Sequence, residues 1–297
     1  NGAPETAAGA GLLASLGAAR WAAGDAPGAA EALTEARRVR LAVAAPEDEE
    51  GALLLRNLGV VRCARGDAEG GLQAYAESGA IRRALGSLET LDGAGLLLNT
   101  AFAKADRGDA QGALEAYQEA WRVCRGRLEE TAPSVATLFS SIGVAHGNRG
   151  EQVEALSAYG KAAKIRESAG NLESPAGMVL LRNMGVALAG TGNHEQALEA
   201  YAAAWRLREQ FGTMSTNAGA ALFTSIGISR AETFDLGGAL VALKKARQIY
   251  THLGTLQSAG GQALVRHIED VEGRMNMERT SVLPTACAER VTGAAAA

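Results

Sequence analysis

Apolar side chains recur along this chain at two superimposed spacings. Within short stretches they fall at i, i+3, i+4 and i+7, the one-face pattern of an amphipathic helix. Over longer distances the whole pattern repeats. Leu12, Leu54, Leu96, Leu138, Leu180 and Leu222 stand 42 residues apart, followed at once by Leu13, Leu55, Leu97, Phe139, Leu181 and Phe223. Small residues keep the same phase: Gly17, Gly59, Ala101, Gly143, Gly185 and Gly227, then Ala29, Gly71, Ala113, Ala155, Ala197 and Ala239. Four residues after the second set come Leu33, Tyr75, Tyr117, Tyr159, Tyr201 and Leu243, and three further on Ala36, Ser78, Ala120, Ala162, Ala204 and Ala246. Spacings of three and four within a unit predict helices. The paired small positions predict that two helices approach closely, near the short end of the usual interaxial range of about 8–10 Å.

Turn chemistry divides each unit in two. Gly24, Gly66, Gly108, Gly150 and Gly192 precede Asp25, Asp67, Asp109, Glu151 and Asn193. A glycine can end one helix in the left-handed conformation, and Asp or Asn can cap the next. Glu151 is the weaker cap, and the last unit has Phe234-Asp235 without the glycine. Each unit therefore reads as helix A, a tight turn, helix B and a connector. The chain divides into an extension (1–8), six units (9–50, 51–92, 93–134, 135–176, 177–218 and 219–259), a capping helix (260–279) and an Ala-rich tail (280–297). Leu264, Val265, Ile268 and Val271 give the capping helix its apolar face, because a stack of helix pairs needs a terminal cap.

The units resemble the tetratricopeptide repeat, through Leu58-Gly59 with Gly71-x-x-x-Tyr75, and again through Ala113-x-x-x-Tyr117-x-x-Ala120. The usual repeat is about 34 residues long; the longer unit here resembles the variety found in kinesin light chains. The Trp early in helix A is replaced by Leu or Phe, and the Pro after helix B is absent. The resemblance implies an all-α, right-handed α-solenoid of six helix-turn-helix repeats plus the C-terminal cap. It also implies a concave groove, lined by the helix A faces opposite helix B, that takes a peptide segment.

Composition narrows the function. Apolar residues make up 47% and charged residues 21% of the 297, close to an ordinary globular chain, while aromatics reach only 4%. A net charge of -4 provides no global field for nucleic acid or an anionic membrane. Cys63, Cys124 and Cys287 have no CxxC spacing, which points to a reducing, intracellular setting, cytoplasmic or organellar. The chain opens Asn1-Gly2-Ala3-Pro4 with no signal-like apolar run, as a processed form or a piece of a longer polypeptide would. No stretch is long and apolar enough for a transmembrane span. His146, His194, His252 and His267 share no metal spacing, and no GxSxG, HExxH, Walker or strand-linked GxGxxG motif occurs. Gly190-Thr-Gly192-Asn-His194 sits at the turn that every unit has. The expectation is a non-catalytic protein with no cofactor.

The expected groove residues are Arg56, Asn57 and Val60; Asn99 and Phe102; Ser141 and Val144; Arg182, Asn183 and Val186; and Ser225 and Ile228. Asn57, Asn99 and Asn183 share one repeat position, where Ser141 and Ser225 replace them. An amide both donates to and accepts from a peptide backbone, and an Arg can fork onto a carboxylate. Cys63 is expected to face the same groove. Two basic rows follow late in helix B: Arg38, Arg122, Lys164 and Arg206, and Arg40, Arg82, Arg166 and Arg208. Cations there complement the helix dipole, or form a band for an acidic partner or RNA. Trp121 and Trp205 are expected to pack between helices. The leading expectation is an interaction scaffold or adaptor for a protein segment. Its alternative is an accessory subunit of a larger, multi-subunit complex, docked by the outer face and tail. A nucleic-acid-binding repeat protein or a regulatory module of an enzyme ranks below both.

Overall fold

The computed structural model describes residues 5–127 and 132–281 and contains, among them, thirteen α-helices and no strand. Successive helices pair as the repeat demands: α1 (Ala7–Ala22) with α2 (Ala26–Ala42), α3 (Glu49–Ala64) with α4 (Ala68–Ala84), and α5 (Leu91–Asp106) with α6 (Ala110–Cys124). Then follow α7 (Pro133–Asn148) and α8 (Gln152–Ser168), α9 (Pro175–Gly190) with α10 (His194–Gln210), α11 (Asn217–Glu232) with α12 (Leu236–His252), and α13 (Ala259–Ser281). The chain divides into two compact units at a boundary within α8, the first ending at Ile165 and the second starting at Arg166. Of the expected tail (280–297), Thr280 and Ser281 continue α13, and 282–297, like the opening four residues, lie outside the described residues.

Small residues set the spacing inside each pair. Methyl groups built on Gly59, Gly143 and Gly185 would overlap the rings of Tyr75, Tyr159 and Tyr201, and on Gly17 and Gly227 the side chains of Leu33 and Leu243. The glycines are therefore the sockets into which the large helix B residues fit. Between pairs, helix A leucines provide the contact: Leu54, Leu58 and Val61 of α3 pack on Ala29, Leu33 and Ala36 of α2. Leu54 and Leu96 are 3% and 2% exposed, whereas Leu12, at the same position in the first pair, is 68% exposed. Burial of this leucine thus depends on the preceding pair, and each such burial is worth about 1.5–3 kcal/mol. At the other end α13 packs on α11 and α12 and buries Leu264, Ile268 and Val271.

Two kinds of cap fix the connections. At the A–B turns Gly66, Gly108 and Gly192 have φ of 86°, 81° and 81°, and Asp67 and Asp109 accept the N–H of Gly70 and Gly112 at 2.9 and 2.8 Å. Asn193 departs from the expected capping: its amide donates to Thr191 instead, at 2.9 Å, because an Asn turned towards the Thr hydroxyl cannot also cap α10. In the last pair Phe234 takes the left-handed φ, 63°, with its ring exposed. At the B–A connectors Thr90, Ser174 and Thr216 accept from Gly93, Gly177 and Gly219 at 3.1–3.2 Å. A Cβ at those glycines would collide with the carbonyls of Leu88, Leu172 and Met214. The start of α7 is different: Pro133 opens it as Pro175 opens α9, but no side chain caps it, and Val135 stands where the others have glycine.

Candidate peptide-binding surface

Sequence spacing places the candidate residues on the A helices, and the structure divides them between the two units. In the first unit α3 carries Arg56, Asn57 and Val60, half-buried; α5 carries Asn99, half-buried, and Phe102, exposed; α7 carries Ser141, half-buried, and Val144, exposed. Phe102 stands edge-on to Tyr117 of α6, ring centroids 5.5 Å apart, and the Tyr117 hydroxyl lies beside that of Ser141. One tyrosine therefore links α5, α6 and α7. Burial dominates its ionisation and pushes the phenol up to about 12, against the smaller opposing effect of Ser141.

Not all of these residues are equally available to a ligand. Arg56 Nη1 lies 3.4 Å from Asp92 Oδ1 at the start of α5, so its charge is already partnered. Ser141 donates to the Thr137 carbonyl at 3.0 Å within its own helix. Asn57 and Asn99 differ: among the described residues neither side-chain amide has a hydrogen-bond partner. Cys63 does not face this surface as expected. Its sulfur sits over Gly71 of α4 beside Tyr75, because the glycine leaves a space that the thiol fills. Burial raises its pKa, which suits a small packed side chain.

In the second unit α9 presents Arg182, Asn183 and Val186, and α11 presents Ser225 and Ile228. Val186 is exposed and the other four are half-buried. Arg182 Nη1 donates to Asn183 Oδ1 at 3.3 Å, while its buried Nε has no partner in the chain. Ser225 donates to the Ala221 carbonyl at 3.1 Å and lies beside the Tyr201 hydroxyl, as Ser141 does beside Tyr117.

The two basic rows separate sharply. Arg40, Arg82 and Arg208 fold inwards: Arg40 reaches the Pro46 carbonyl and Asp48 at 2.6 Å, Arg82 reaches Glu49 at 2.9 Å, and Arg208 reaches the Thr213 carbonyl at 3.3 Å. This row is not a solvated band, because Arg82, Arg166 and Arg208 are buried and Arg40 is nearly so. The other row is exposed, yet Arg38 pairs with Glu5 and Glu35, and Arg122 with Glu89 and Glu119. Only its later members, Lys164 and Arg206, lack a carboxylate partner among the described residues. Trp121 packs on Phe139 with centroids 4.8 Å apart, and Trp205 on Phe223 at 5.6 Å. The signal overlooked in the sequence is a Ser or Thr three residues before a helix A glycine, as in Thr90-x-x-Gly93. It marks the connectors as clearly as the Gly-Asp pairs mark the turns.

No protein-family model matches the chain, and no curated protein sequence matches it. Solved structures do. A chain of nearly identical TPR-like repeats assigned to kinesin light chain in Podosopora anserina superposes with a TM-score of 0.59 at 16% identity, covering 68% of this chain and 95% of that one. MamA (residues 41 to the end) from Desulfovibrio magneticus RS-1 gives 0.53 at 14% identity over 68% of this chain and 96% of its own. A chain of the Cut9-Hcn1 hetero-tetramer of the APC/C gives 0.62 at 14% identity over 90% of this chain, which spans 43% of it. At these identities the likeness concerns architecture. Together with the paired helices and the glycine sockets, it makes this chain an all-α helical solenoid of tetratricopeptide-like repeats.

Proposed function

We propose that the chain is a non-catalytic interaction scaffold and that the A-helix surface of its first unit holds an extended segment of a partner protein. The observation that carries this reading is the pair Asn57 and Asn99, two amides on successive A helices without a hydrogen-bond partner among the described residues. They are flanked by Val60 and by the exposed Phe102 and Val144. Amides of this kind can bind a peptide backbone irrespective of its sequence, while the apolar side chains take its anchors. Arg182, Asn183, Val186, Ser225 and Ile228 form a corresponding, smaller set on the second unit. The fold also supports the reading, since Cut9-Hcn1 is an APC/C hetero-tetramer, an assembly of more than one protein. No helix among the described residues is long and apolar enough to cross a membrane.

The test is site-directed photo-cross-linking in the native source, with a photoreactive residue at Val144 or, for comparison, at the exposed outer-helix Val241. One partner segment captured from Val144, and lost in the Asn57→Ala/Asn99→Ala chain of unchanged helicity, is the expected result. Capture from Val241 alone, or capture from Val144 that is indifferent to the two substitutions, would assign docking to the outer face instead.

A further inference from the structure

Hollows of one construction recur where the last turns of a B helix meet the next A and B helices. Arg37, Leu41, Leu55, Glu77 and Ile81 line one over α2, α3 and α4. Trp121, Arg125, Phe139, Lys161 and Ile165, each two repeats further on, line another of about 480 Å³ over α6, α7 and α8. Leu181, Ala203, Arg206 and Leu207 line a third, within the second unit. Since the framework is shared, differences in the lining carry the information.

The first hollow is electrically balanced. Arg37 pairs with Glu77 across it, and Glu47 lies near Arg40. In the third, Arg206 shares the lining with Glu173. The middle hollow has three cations, Arg125, Lys161 and Lys164, and no carboxylate among its described lining residues. None of the three pairs with a described carboxylate. Its floor is the Trp121–Phe139 pair, and the Lys161 ammonium stands 5.2 Å from the Phe139 centroid. Val135, in place of the glycine found at the other connectors, adds to the apolar wall. In the second unit Lys245 stands 5.6 Å from the Trp205 centroid and 5.7 Å from that of Phe223. There, however, Glu209 and Gln248 occupy the positions of Arg125 and Lys164, so the excess charge is absent.

Three like charges round an apolar hollow repel one another, and an anion placed among them removes that repulsion. We propose that this hollow docks an acidic segment of a partner protein. One apolar side chain enters over Trp121 and Phe139, and its neighbouring carboxylates meet Arg125, Lys161 and Lys164. A volume of this size suits one or two side chains. The excess charge is local, because Arg122, the nearest earlier member of the same row, is paired with Glu89 and Glu119. A nucleic-acid backbone would need a continuous basic track, and a short acidic segment does not. This surface lies on different residues from the A-helix surface and stands or falls separately.

The experiment is selection of a random dodecapeptide library on the full chain, followed by titration of the selected peptides. Peptides with Asp or Glu beside a large apolar residue are expected. Their affinity should drop at least about tenfold in Lys161→Ala/Lys164→Ala and fall with added salt. Lys245→Ala, which removes the equivalent stack of the second unit, should leave affinity unchanged, as should Asn57→Ala/Asn99→Ala. Selection without acidic bias, or affinity indifferent to the Lys161 and Lys164 changes, would overturn the proposal. So would tighter, equally Lys-dependent binding of a single-stranded poly(U) oligonucleotide, and loss of peptide binding in Asn57→Ala/Asn99→Ala would relocate the peptides to the A-helix surface.

Discussion

Gly185→Val tests the packing principle on which every repeat is built. Gly185 of α9 faces the ring of Tyr201, which is 1% exposed. A Cβ at Gly185 would lie 2.6 Å from Tyr201 Cδ1 and 3.0 Å from Cζ, against ordinary carbon contacts of about 3.5–4.0 Å. Valine places that atom and two further methyls in the same space. Tyr201 has little freedom to withdraw, because Ala197 and Ala204 on either side of it in α10 are themselves fully buried. Overpacking of this kind costs about 1–3 kcal/mol, and valine regains about 0.3–0.5 kcal/mol of the helix propensity that glycine lacks. A net loss of about 2 kcal/mol is expected. The third pair sets a limit: Ala101 occupies the equivalent position in the pair that carries Tyr117, so one methyl can be accommodated where the surroundings suit it.

The assay is urea unfolding on a Trp21→Phe/Trp121→Phe background, so that Trp205 of α10 reports the second unit, alongside far-ultraviolet circular dichroism. Gly273→Ala is the matched control in the same unit. Gly273 lies within α13 with no atom within 4 Å of an added Cβ, and the substitution should stabilise by about 0.5–1 kcal/mol. A Gly185→Val midpoint at or above that of the parent would refute the socket argument. Gly273→Ala destabilising as much as Gly185→Val would refute it equally, since space at the glycine would then be irrelevant.

Other expectations rest on separate contacts. Asn193→Asp should stabilise by roughly 0.5–1 kcal/mol, read as a raised urea midpoint, because it introduces the cap that Asp67 and Asp109 already form. Phe234→Gly should raise the thermal midpoint, since it relieves about 1 kcal/mol of left-handed strain at an exposed ring. Arg208→Ala should cost about 2 kcal/mol or more by removing a buried side chain that holds the Thr213 carbonyl, whereas Arg122→Ala, at an exposed pair, should cost under about 1 kcal/mol. Tyr117 binds its proton more tightly folded than unfolded, so its contribution is complete below the ordinary tyrosine range and is lost as pH rises through about 12. A tyrosinate absorbance titration that shows one late-titrating phenol fewer in Tyr117→Phe checks it.

The period was legible because packing makes the same demand at each repeat: a helix pair has one place where only a small residue fits and one that a large residue must fill. Gly59 and Tyr75, or Gly185 and Tyr201, are two halves of one contact and so recur together. Charge carries no comparable mark. Arg206 and Arg208 are two positions apart in α10, and both read as basic residues in the last turns of a helix. Yet a step of two residues turns a side chain through roughly 200° about the helix axis, which leaves Arg206 exposed and buries Arg208. Whether an exposed cation is free or paired then depends on acids contributed by other helices. Glu77 stands where Lys161 stands two repeats later, and that exchange turns a balanced hollow into a cationic one. Such a difference is visible only after the equivalent hollows have been aligned in space. What the repeats share therefore determines the fold, and what distinguishes them is where the proposed binding chemistry lies: the Asn57 and Asn99 amides, without a hydrogen-bond partner among the described residues, and Arg125, Lys161 and Lys164, without a described carboxylate.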